Sequence, residues 1–224
     1  MNKKVLIALI SIVILLSSGI TVLALSKSTE EGYDSLLTEA IDKFTPINIG
    51  KRLNSITKST DKAVEKYGDI TVSAFEMEDT KYKEEMLADS DKKPRVVSDE
   101  EAIDIVLKEK LLIQDAKSKG LSVPYDKVEW FLKGTRDGYT FDGQGLVTSN
   151  EGFREILVNA GLTYDEYEKR FLRNDAEYYF LREKYLDFLC KENGLDREKD
   201  VDRVYEMLDN RLNSLLTELK KNSK

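Results

Sequence analysis

Hydrophobic and polar positions along this chain alternate mostly with a helical period, and the clearest run is Ser98 to Gly120. Its polar residues Glu101, Asp104, Lys108 and Asp115 fall on one narrow stripe. Ala102, Ile103, Ile105, Val106, Leu107, Leu111, Leu112, Ile113 and Ala116 take most of the remaining circumference. A helix apolar on several sides is buried among neighbours, and each large side chain hidden there is worth about 1.5–3 kcal/mol. Ser98 followed by Glu101 is the signature of a capping box. Gly120 can take the left-handed conformation that closes a helix, with Lys117 and Lys119 suited to its negative end.

The rest of the pattern supplies neighbours for that helix. Leu37, Ala40, Ile41 and Phe44 predict a helix over Glu30–Phe44 that Pro46 limits, and Leu53, Ile56, Ala63, Val64 and Tyr67 predict a second over Ile49–Tyr67 that Gly68 closes. Together they read as a helical hairpin or stalk over residues 27–68. Asp69–Phe75 is a short β-branched run and the best strand candidate. Thr80–Ala88 reads as a short helix with Tyr82 and Met86 inward, Asp89–Pro94 as a polar linker, and Arg95–Val97 as a brief extended piece.

After Gly120, Pro124 suits the first turn of a helix whose inward face is Val128, Phe131 and Leu132. Trp130 falls off that face. Gly134–Gly152 reads as a loop carrying Tyr139 and Phe141. Phe153, Ile156, Leu157 and Ala160 give a one-sided helix ending at Gly161, and Thr163 with Glu166 forms a second capping box. That box opens a long helix to about Asn193, with Tyr167, Phe171, Asn174, Tyr178, Leu181, Tyr185 and Phe188 on one stripe and Leu172, Ala176, Tyr179, Leu186 and Cys190 beside it. Gly194 ends it. The last helix, over 197–221, repeats Val201, Tyr205, Leu208, Leu212, Leu215 and Leu219, a seam that should lie along another helix of this chain or of a second copy. The expected fold class is therefore all-α with at most a minor strand pair, the main domain covering 69–224.

Residues 1–26 stand apart from that fold. Asn2-Lys3-Lys4 precede Val5–Leu25, which carry no charge and are long enough to cross the roughly 30 Å hydrocarbon layer. The lysines predict a cytoplasmic N-terminus and a remainder outside the cytoplasm. The segment reads either as a membrane anchor over residues 5–25 or as a signal peptide, since Ala24 and Ser26 offer a cleavage site. A lipid anchor is not expected, because no cysteine stands at the end of the run.

Charge and chemistry narrow the function classes. The formal net charge is −7 with a pI near 5.0, so no basic footprint for nucleic acid exists. The chain has no histidine, which removes Ser-His and Cys-His nucleophile pairs and the usual near-neutral acid–base group. Cys190 is the only cysteine, so neither an intramolecular disulfide nor a cysteine metal cluster is available. Asp137 and Asp142 lack the spacing of a calcium loop. No catalytic residue, metal or cofactor is expected. The aromatic residues of the long helix read either as core or as an apolar surface for unfolded polypeptide.

Two motifs carry a resemblance. Ala116-Lys117-Ser118-Lys119-Gly120-Leu121 joins two helices, and Leu157, Gly161, Leu162, Thr163 and Tyr167 then open the long helix. This order, over about Ile70–Asn193, resembles the N-terminal domain of SurA-type and PrsA-type chaperones. The resemblance implies a helical module for unfolded or exported polypeptides, completed by a returning C-terminal helix, for which Arg197–Leu219 is suited. Many relatives carry a parvulin prolyl isomerase domain after the long helix; here about thirty residues follow Gly194, and histidines usual in parvulin sites are missing. The expected function is thus a non-enzymatic chaperone-like module, with Trp130, Tyr139, Phe141 and Tyr179 bordering a client groove between the second helix and the long helix. The alternative is a structural or assembly protein whose C-terminal helix docks a partner or forms a homo-oligomer. A degenerate isomerase ranks last.

Overall fold

The computed structural model describes residues 45–59, 61–90, 95–138 and 150–223. The membrane or signal segment over 1–26, the helix expected over Glu30–Phe44, and the loop residues Tyr139 and Phe141 lie outside them. In chain order the elements are α1 (Pro46–Lys58), β1 (Ala63–Tyr67), β2 (Ile70–Ser73), α2 (Ala74–Ser90), α3 (Asp99–Ser118), α4 (Tyr125–Gly138), α5 (Asn150–Ala160), α6 (Tyr164–Tyr167), a π-helical segment (Glu168–Leu172), α7 (Arg173–Asn193) and α8 (Val201–Asn222). The described chain is mostly helical with one two-stranded sheet. Among the described residues no helix is long and apolar enough to cross a membrane.

The chain divides into two units, Lys3–Lys58 with Trp130–Leu172, and Ser59–Glu129 with Arg173–Lys224. In the first, α1 begins where Thr45 caps it: the Thr45 hydroxyl accepts from the Asn48 N–H at 3.3 Å. Ile49, Gly50, Leu53 and Ile56 are its buried positions. The contact of α1 with α5 is close at Gly50. A Cβ there would stand 2.5 Å from the Ile156 carbonyl oxygen and 2.5 Å from the Asn159 Cβ. The Asn54 amide donates to the Ala160 carbonyl at 2.8 Å, and Arg170 donates to the Thr57 carbonyl at 3.0 Å. Gly50→Ala is expected to force α1 and α5 apart and cost about 1–3 kcal/mol, measurable as a lower denaturant midpoint; an unchanged midpoint would mean that this contact does not support the unit.

The second unit is built around α3. Leu112 and Ala116 join Leu181, Tyr185, Leu186 and Cys190 of α7 and Val204, Leu208 and Leu212 of α8 in one buried cluster. Val106, Leu107 and Leu111 join Ile70 and Val72 of β2 and Leu216 of α8 in another. So α3 is covered from several sides, as its pattern predicts. Its start is half the expected box. The Ser98 hydroxyl accepts from the Glu101 N–H at 3.2 Å, but the Glu101 carboxylate turns to Arg95 at 2.6 Å. Thr163 and Glu166 do form the full box. The Leu195 N–H donates to the Cys190 carbonyl at 2.9 Å, the bond of a Schellman cap, where α7 ends.

Several expectations are corrected. The helix predicted over Ile49–Tyr67 stops at Lys58, and Ala63–Tyr67 form β1, paired antiparallel with β2 from Ala63↔Ser73 to Tyr67↔Ile70. Gly68, at φ 57, does not end a helix; with Asp69 it makes the two-residue turn of a hairpin. Pairing with a strongly β-branched partner overrides a helical spacing in β1 whose residues are mostly exposed. Phe75 leaves the strand, because α2 starts at Ala74, well before Thr80. Ser73 caps it, accepting from the Glu76 N–H at 3.2 Å while the Glu76 carboxylate accepts from the Ser73 N–H at 2.9 Å. The loop expected from Gly134 instead continues α4 to Gly138, and α5 begins at Asn150. The last helix begins at Val201, four residues later than expected.

Candidate functional site

Helix α4 buries Val128 and Leu132 and leaves Trp130 between them on the opposite side, 74% exposed. One exposed apolar residue is ordinary on a protein surface; a tryptophan exposed to this degree is a large apolar area left in contact with solvent. Of the other expected contact residues, Tyr139 and Phe141 lie outside the described residues. Tyr179 is half-buried on α7, its ring 5.4 Å from Phe180 in an edge-on arrangement. Trp130 belongs to the first unit and Tyr179 to the second. The neighbouring Tyr178 is also half-buried and packs on the cluster of α3, α7 and α8.

The aromatic residues at the start of the long helix are core. In the first unit Tyr167 and Phe171 stack at 5.5 Å, and Phe153 meets Tyr167 edge-on at 5.4 Å. The chain here passes through the π-helical turn Glu168–Leu172, in which Glu168 is buried. Such turns are rare and frequent at functional sites.

The second unit holds two groups of titratable residues on α3. Asp115 accepts hydrogen bonds from Arg211 of α8 at 2.9 Å, from Lys119 at 2.8 Å and from the Tyr185 hydroxyl of α7. Burial pushes its pKa up, but the hydrogen bonds from Arg211, Lys119 and Tyr185 outweigh it and hold the carboxyl well below its ordinary range. Burial and the Asp115 carboxylate push the Tyr185 phenol up to about 12. The group is a joint between three helices.

The other group surrounds Lys83 of α2. Its ammonium stands 2.7 Å from Asp79 of the same helix and 2.7 Å from Asp175 of α7. Burial works against the Lys83 charge, yet Asp175 and Asp79 outweigh it and hold its pKa above the ordinary value. Asp79 is buried, and its second oxygen finds no hydrogen-bond partner among the described residues. Burial, with Asp175 adding to it, raises its pKa against the pull of Lys83. Glu109 of α3 completes the group. Burial foremost, then the charges of Asp175, Asp79 and Glu84, push it up to about 7, against the pull of Lys83. Among the described residues no three potential ligands are placed to hold a metal ion.

No protein family, curated protein or solved structure matches the chain. Its function is therefore read from its own residues.

Sequence reading missed the Lys83 group. One sign was present: at about 100° per residue Glu109 lies well off the stripe of Glu101, Lys108 and Asp115, on the side of Ala102 and Val106. The Lys83–Asp175 pair itself joins residues 92 apart in sequence, which no local pattern reveals.

Proposed function

We propose that the chain is a non-enzymatic, chaperone-like module that binds unfolded or exported polypeptides outside the cytoplasm, built on the plan of a SurA-type N-terminal domain. Residues 5–25 tether it to the membrane or are removed as a signal. The observation that carries this reading is Trp130, a large apolar ring 74% exposed on a helix whose neighbouring positions Val128 and Leu132 are buried. Tyr and Trp side chains suit such work, because they offer wide contact area with few rotatable bonds to restrict. The absence of histidine from the sequence speaks against an isomerase. The docking alternative loses support where Leu208 and Leu212, the middle of the proposed seam, are packed against α3 and α7 of the same chain.

Trp130 is the only tryptophan, so its fluorescence reports directly on its surroundings. An unfolded, aggregating client added to the protein should shift the emission to the blue and should scatter less light on aggregation. Trp130→Ala should abolish most of that suppression while changing folding stability by less than about 0.5 kcal/mol, as for a surface substitution. Full suppression by the variant would remove Trp130 from the client surface.

A further inference from the structure

The β1–β2 hairpin of the second unit has two outer edges, and only one of them is covered. Ile70 and Val72 of β2 are buried with residues of α3 and α8, and the Lys110 ammonium of α3 donates to the Thr71 carbonyl at 2.6 Å. On the other side, Ala63–Lys66 of β1 are exposed and Tyr67 is half-buried. Among the described residues the sheet has no third strand. Tyr67 and Ile70 flank the hairpin turn and exchange hydrogen bonds, so the next pair, Lys66↔Thr71, does not. The Lys66 N–H and C=O therefore point away from β2, as the Thr71 carbonyl points away from β1 to Lys110. The register shift between Ala63 and Glu65 bends the strand beyond. The open edge is thus short and centred on Lys66.

We propose that this edge takes an extended segment of an unfolded polypeptide as a third, antiparallel strand, with an acidic residue opposite Lys66. The proposal rests on the client-binding reading and names how the main chain of a client is held. Charge selects this occupant over a second copy of the chain. A symmetric antiparallel pair of β1 edges joined at Lys66 sets either the two Lys66 ammoniums or the two Glu65 carboxylates opposite each other, and like charges directly opposite are destabilising. A client carboxylate opposite Lys66 makes a favourable cross-strand pair instead. The Lys66 N–H and C=O meet the main chain of any extended client, because strand addition draws its affinity from main-chain hydrogen bonds. A short edge also suits release, since few such bonds form and few must break.

The test uses the full chain and a synthetic peptide of alternating Val and Thr with one Glu at its centre. As peptide is added, hydrogen exchange of the Lys66 amide should slow by at least about fivefold, the effect of one main-chain hydrogen bond. The Glu65 amide, which faces β2, should stay as it was. Lys66→Pro removes the outward N–H and leaves the β1–β2 ladder, since proline is tolerated where an edge N–H faces solvent; it should weaken peptide binding by about fivefold. Lys66→Gln keeps the N–H and should bind more tightly than Lys66→Pro. The exchange measurement itself needs no variant. A Lys66 amide that exchanges at one rate up to the solubility limit of the peptide would overturn the proposal. So would protection that rises with protein concentration alone, which assigns the edge to a second copy. A client that shifts Trp130 emission while leaving the Lys66 amide unprotected sinks the edge and leaves the client-binding reading standing; a protected Lys66 amide without suppression of client aggregation does the reverse.

Discussion

Leu208→Ala is expected to cost about 2–5 kcal/mol of folding stability, the range for emptying a packed leucine site. Leu208 is 1% exposed. It packs in the cluster that Leu112 of α3, Tyr185 and Leu186 of α7, and Val204 and Leu212 of α8 share. Losing it leaves a void bounded by three helices, which cannot all collapse onto the gap. Urea unfolding monitored by circular dichroism measures the loss as a lower midpoint with an unchanged slope. The same variant separates the two classes of function. If α8 is a buried strut of its own chain, stability falls and the oligomeric state stays as it was. If stability holds while an assembly dissociates, the seam serves a partner, and the chaperone reading loses its advantage over the docking alternative.

The α8 seam also shows what sequence periodicity can and cannot resolve. The four- and three-residue alternation predicts Val201, Tyr205, Leu208, Leu212, Leu215 and Leu219, whereas the buried positions are Val204, Leu208, Leu212 and Leu216, a uniform step of four. Such a step drifts around the helix. The drift has a cause: Val204, Leu208 and Leu212 face the cluster with α3 and α7, while Leu216 joins the cluster with the β1–β2 hairpin. A repeat read in isolation assumes one partner, and α8 has two. Local signals carried further. The half-box at Ser98, the full box at Thr163 and the left-handed exits at Gly120, Gly161 and Gly194 all rest on contacts within a few residues. Ser73 and Glu76 have the same spacing, but the β-branched run before them extends the strand expectation through Phe75 and hides the cap.

The candidate surface follows the same division. Trp130 was legible because it is out of phase with the buried face of its own helix. The Lys83 group was not, since its members come from α2, α3 and α7 and meet only after the chain has folded. Tyr179 shows the limit of composition: a tyrosine tolerates water, but on α7 it is half-buried against Phe180.

Asp115→Ala is expected to destabilise the protein by about 2–4 kcal/mol at neutral pH, since removing one partner of a buried, charge-assisted network strands the others. The Tyr185 hydroxyl would lose its acceptor in a site that is fully buried. Arg211 and Lys119 would lose the carboxylate that ties α8 and the end of α3 together. Tyr185→Phe is the milder control: Asp115 keeps both cations, so a loss of about 1 kcal/mol is expected. An Asp115→Ala loss no larger than the Tyr185→Phe loss would mean that the ionic contacts contribute nothing. The pH dependence gives a second reading of the same contact. A carboxyl held below its ordinary range stabilises fully above that range and loses the contribution as pH falls through it. The wild type should therefore weaken on acidification below about pH 4, the ordinary aspartate value, and Asp115→Ala should lack that share of the loss. Glu109, on the same helix, acts from the opposite side, weakening the fold as pH rises towards about 7. Asp115→Ala should flatten the acid side of the stability profile and Glu109→Gln the neutral side, each without altering the other.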